Sequence, residues 1–106
     1  RQLFRLLSRD IGRAALLAGD WSADQRMAAF LIGLSRRLSE RGFSANRFQL
    51  TMARTDIANY LRLAPETVSR VLRRFDDDGL LRIERRDVEL LDHDVLMAWA
   101  APVLRE

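Results

Sequence analysis

The chain has no cysteine and no lysine, and only two prolines and one histidine among its 106 residues. Without cysteine it forms no disulfide, carries no thiol redox chemistry and ligates no iron–sulfur cluster, which fits a reducing compartment. The single histidine, His93, sits in an acidic segment beside an expected helix start, where a surface or capping role suits it. Metal ligation or imidazole catalysis suits it less, and no Cys/His cluster appears in the sequence. No P-loop and no nucleophile elbow occurs. No apolar run approaches the roughly 20 residues of a bilayer span, and no signal-peptide pattern opens the chain.

What is present is a composition 48% hydrophobic and 31% charged, which excludes disorder. The length suits one hydrophobic core and is too short for two. A helical pattern already under way at Arg1 is expected to be the end of something longer. Residues 1–75 hold 14 arginines against 6 acids, whereas residues 76–106 hold 4 against 9. A basic body with an acidic tail points to a polyanionic partner for the body. That every base is arginine is explained by codon bias without appeal to function.

Residues 2–18 have a helical pattern in which Phe4, Leu7, Ile11, Ala14 and Ala18 alternate at spacings of three and four, a heptad-type seam. Gly19-Asp20 breaks it. Ser22 and Gln25 match a capping box, so a second helix is expected to about Arg41, burying Ala28, Leu31, Ile32, Leu34 and Leu38, with Gly42 as its stop. Phe48, Leu50 and Met52 alternate as a short strand does. A short helix over 54–61 buries Ile57, Ala58 and Leu61, and Arg62-Leu63-Ala64 makes a turn. Pro65 then opens a helix that carries Val68, Val71, Leu72 and Phe75 inward and ends at Gly79. Leu81 and Ile83, then Val88 and Leu90, alternate on either side of a polar turn, which predicts a hairpin. Asp92 is placed to cap a last helix through Trp99, limited by Pro102.

Two short helices joined by a three-residue turn and followed by a hairpin describe a winged helix-turn-helix. The fold class expected is mainly α with a small β-hairpin wing. Within the second helix of the pair, Glu66, Ser69 and Arg70 stand at i, i+3 and i+4, on the face opposite Val68, Val71 and Leu72. Arginine can donate two parallel hydrogen bonds to guanine O6 and N7, and glutamate can accept from the cytosine amino group. The alternative for Glu66 and Arg70 is an ordinary surface ion pair worth a few tenths of a kcal/mol.

The stretch 54–75, RTDIANYLRLAPETVSRVLRRF, resembles the DNA-binding element of the Crp/Fnr family of bacterial transcription regulators. So do LSRRLSERGFS at 34–44, FQLTMARTDIANYL at 48–61 and GLLRIERRDVELLD at 79–92. Pro65 stands where the Crp branch usually has arginine, which is closer to the Fnr branch. The resemblance implies that residues 1–20 are the end of a dimerisation helix, with Phe4, Leu7, Ile11, Ala14 and Ala18 as its seam, and that 21–106 form the winged domain. It implies that Glu66 and Arg70 read a G·C pair and that Ser69 goes with a site of the form TTGAT and its inverted repeat ATCAA. A homodimer on a palindromic promoter site is the expected state, with half-sites one DNA turn apart. RNA polymerase is the expected further partner, through the loop around Ser44, and the cytoplasm the expected location. No membrane, enzymatic or metal role is expected. The chain itself carries no cofactor; an effector or cluster would belong to an N-terminal sensor domain absent from it.

Thr55, Thr67, Arg54, Arg73 and Arg74 are candidates for phosphate contacts. Arg54 has the alternative of packing within the domain, and Arg73 and Arg74 that of a solvated surface. Relatives often carry a hydroxyl residue at the positions of Ala53 and Ala64, and glycine at that of Arg62. Asp76-Asp77-Asp78 opposes the dipole of its helix and should point away from DNA, as a solvated terminus. Two other readings compete: a winged-helix module for dimerisation or protein contact only, and a fragment of a nucleic-acid enzyme whose catalytic part lies elsewhere.

Overall fold

Ser22 opens the first helix seen in the computed structural model, which describes residues 21–104. The helix and seam expected over residues 2–18 lie outside the described residues. The Ser22 hydroxyl accepts from the Gln25 backbone N–H at 3.1 Å, and Gln25 Oε1 accepts from the Ser22 N–H at 3.0 Å, the reciprocal capping box. Helix α1 (Ala23–Glu40) ends at Gly42, whose φ of +90° lets its N–H reach Ser39 and that of Phe43 reach the Leu38 carbonyl, a Schellman motif. The sequence predicts one apolar stripe on this helix. The structure instead buries every residue from Met27 to Ser35, with Leu38 half-buried beyond them. A helix apolar on all sides is an enclosed one.

The other elements form the enclosure. Helix α2 (Arg54–Leu61) and helix α3 (Pro65–Asp77) form the helix pair, and helix α4 (His93–Leu104) packs most extensively on α1. Phe30, Leu31, Ile57, Leu61, Val68, Leu72, Phe75, Leu96 and Ala100 join one core. The Phe75 ring lies 5.4 Å from that of Trp99, which ties α3 to α4. Asp92 caps α4, as its Oδ1 accepts from the Val95 N–H at 3.2 Å. The helix does not stop before Pro102 but runs two residues past it. A proline in the last turn forfeits one intrahelical bond, and burial of Val103 and Leu104 holds the end in place.

Three strands make an antiparallel sheet in the order β1-β3-β2, from β1 (Arg47–Gln49), β2 (Leu81–Glu84) and β3 (Asp87–Leu90). The sequence-predicted alternation reached Met52, but β1 ends at Gln49, where its register partner Asp87 begins β3. Leu50 and Met52 are buried all the same. Phe48, Val88 and Ile83 lie across from one another on the inner face. On the outer face Glu89 sits between Arg47 and Arg82, 3.9 Å from each.

Candidate nucleic-acid interface

Proline suits the first position of α3, since its missing N–H has no helical partner there. Val68, Val71, Leu72 and Phe75 face the core, which turns Glu66, Ser69 and Arg70 outward together, all three exposed. Arg70 Nη2 lies 3.4 Å from Glu66 Oε1, with both side chains mostly in solvent. An exposed pair of this kind contributes a few tenths of a kcal/mol, so either partner is released at little cost when a better one arrives. Thr55 is exposed at the start of α2, and Thr67 is half-buried in the first turn of α3.

The wing is fastened to this helix pair at two points. Arg54 Nη2 donates to the carbonyl of Arg85 at 2.7 Å, in the turn between β2 and β3. Burial, and then the positive charge of Arg86, hold the Arg54 guanidinium below the ordinary arginine range. The Asp76 carboxylate accepts from the Ile83 N–H at 3.0 Å. Asp76 is therefore not the solvated residue expected of a helix terminus; it satisfies a backbone donor of β2, while Asp77 and Asp78 are exposed. Asp76→Ala should cost about 1–2 kcal/mol through that lost charged acceptor, and Asp76→Asn, which keeps an oxygen there, should recover most of it in urea denaturation. Between α3 and the wing runs an open groove of about 570 Å³ in which Ser69, Arg73, Arg54 and Arg85 meet Asp76 and Asp77.

Behind α2 and α3, the first turns of α1 supply two contacts that the sequence does not announce. Arg26 Nη1 donates to the Leu61 carbonyl at 3.1 Å and to that of Arg62 at 3.5 Å, placing a cation at the C-terminal end of α2. Asp24 forms an ion pair with Arg74, so that this phosphate candidate is engaged within the domain. Partners 35 and 50 residues apart leave no local spacing signal. Arg62 itself has φ 59° and ψ 45°, the left-handed conformation, which costs a non-glycine residue roughly 1–2 kcal/mol. Neither Ala53 nor Ala64 gives its helix a side-chain cap. Glu66, Ser69 and Arg70 thus share one surface, Ser69 and Arg73 reach the groove, and Arg54 and Arg74 are held by protein groups.

A family model described as the Crp-like helix-turn-helix domain matches residues 25–99, the whole arrangement from α1 into α4. The chain belongs to the Crp-like helix-turn-helix family. Similarity to curated proteins places this Crp-like domain on the Fnr side. It is 52% identical over 103 residues to the transcriptional activator protein FnrA of Stutzerimonas stutzeri, covering 94% of this chain and 42% of that protein. It is 44% identical over 103 residues to the fumarate and nitrate reduction regulatory protein of Vibrio cholerae, with 94% and 41% covered. Among solved structures, FixK2 from Bradyrhizobium japonicum superposes with a TM-score of 0.70 at 36% identity, over 80% of this chain and 41% of that one. The chain spans about two fifths of the length of these relatives. FnrA is named a transcriptional activator, and the Vibrio cholerae protein a regulatory protein. The Crp-like domain is the DNA-binding part of such a regulator, and no described helix is long and apolar enough to cross a membrane.

Proposed function

We propose that this domain reads a palindromic promoter site, TTGAT and its inverted repeat ATCAA, as one half of a homodimer in the cytoplasm. The observation that carries the reading is the joint exposure of Glu66, Ser69 and Arg70 on the outward face of α3, beside a groove in which Arg54, Arg73 and Arg85 outnumber Asp76 and Asp77. An α-helix fits the major groove of B-DNA, and these three side chain types supply the donors and acceptors that tell one base pair from another. Phosphate contacts from Thr55, Thr67, Arg73 and, from their held positions, Arg54 and Arg74 set the register. The seam at Phe4, Leu7, Ile11, Ala14 and Ala18 pairs the two copies. RNA polymerase meets the loop around Ser44, whose Oγ accepts from the N–H groups of Asn46 and Arg47 and so fixes the loop's shape.

Fluorescence anisotropy tests this with three duplexes at low and then higher salt: the TTGAT palindrome with a four-base-pair spacer, the Crp-type TGTGA palindrome and a scrambled sequence. Preference for the first is expected. Equal, salt-sensitive binding to all three would keep the phosphate grip and refute the base assignments; no binding at low salt would favour a protein-contact module. On the same duplexes Arg73→Ala should weaken binding uniformly and lower the slope of log affinity against log salt by about one.

A further inference from the structure

Two of the described non-glycine residues have positive φ, Arg62 and Arg85, and both are exposed arginines. Each has its carbonyl held from behind by a less exposed arginine, Arg26 for the first and Arg54 for the second. Strain of this kind persists where the surroundings over-determine it, and it collects where a side chain is used. The backbone alone gives no reason for arginine at position 62, since glycine or asparagine would adopt the same conformation more easily.

The side chain does supply a reason. Of the four residues from Arg62 to Pro65, only Arg62 has a side chain that can donate a hydrogen bond. Neither Ala53 nor Ala64 offers a hydroxyl at the adjoining helix starts. Among the described residues the Arg62 guanidinium has no hydrogen-bond or ion-pair partner, and Glu66, four residues on, is taken up by Arg70. A helix whose first turns enter the major groove brings the turn before it against the phosphates that border that groove.

We propose that Arg62 binds a backbone phosphate at the edge of the groove that α3 reads, and that its left-handed conformation is retained to present a guanidinium there. The assignment rests on the DNA reading above. The Arg26 clamp keeps the turn in one shape with or without DNA, so the cation is pre-organised rather than ordered on contact.

Arg62→Gly and Arg62→Lys in the full chain test it, with thermal unfolding beside anisotropy titration at several salt concentrations. Arg62→Gly should unfold at or above the parent midpoint, yet weaken specific and scrambled duplexes by the same factor and lower the salt slope by about one per bound chain. Arg62→Lys, equally strained and still cationic, should keep the slope. An unchanged slope and affinity in Arg62→Gly would overturn the assignment, while base preference in the parent left the DNA reading standing. A parent chain that binds no duplex would overturn both, and the parent titration alone would show it.

Discussion

Phe75→Ala is expected to destabilise the domain by about 3–5 kcal/mol, the range for emptying a buried aromatic site. Phe75 is fully buried, packs on Trp99 of α4, and its carbonyl accepts the Leu80 N–H in the turn that closes α3. One substitution thus opens a cavity where α3, α4 and the entry to the wing meet. Small domains are stable by only about 5–15 kcal/mol, so the loss is a large share of the whole. Urea unfolding followed by tryptophan fluorescence checks it, because Trp99 is itself the ring neighbour. The midpoint should fall at an unchanged denaturant slope. A shift below 1 kcal/mol would mean that the α3–α4 junction collapses onto the gap.

Arg70→Ala should leave the fold almost untouched and remove about 1–3 kcal/mol of discrimination at a single G·C pair, roughly 5- to 150-fold. The fold is spared because the one partner of Arg70 among the described residues is Glu66, at 3.4 Å and in solvent. Discrimination suffers because a guanidinium meets guanine through two parallel donors held in a rigid planar fork, a geometry lysine does not present. Arg70→Lys separates charge from geometry: it should keep the salt slope of the parent and still fail to distinguish the base pair. Titrations against duplexes changed at one position at a time give the answer. Equal weakening on every sequence would assign Arg70 to phosphate instead.

Much of the architecture was legible because its signals are local. The Ser22–Gln25 capping box, the glycines that stop α1 and α3, Pro65 at the head of α3 and the period-two hairpin each announce an element within a few residues. The outward trio of α3 was legible in the same way, as the complement of Val68, Val71, Leu72 and Phe75. What could not be read was everything that spans the chain. Burial of α1 on every side from Met27 to Ser35 depends on which neighbours arrive around it, and strand β1 pairs with a partner some 40 residues later. Local spacing likewise does not show that Arg74 pairs with Asp24 or that the Asp76 carboxylate accepts from the Ile83 N–H. Helical periodicity says which way an arginine or aspartate points, and tertiary structure says what waits there.

The enclosure of α1 also governs how the domain can move. Close-packed interiors pass strain on rather than absorbing it. A shaft gripped on every side from Met27 to Ser35 does not spin within its housing, and Asp24 and Arg26 key its near end to the far end of α3 and to the turn that precedes it. A displacement of α1 would therefore carry Glu66 and Arg70 with it as parts of one packed body. In the proposed homodimer, two such bodies turned about a common axis would engage or miss a pair of half-sites by angle alone, with every internal joint intact.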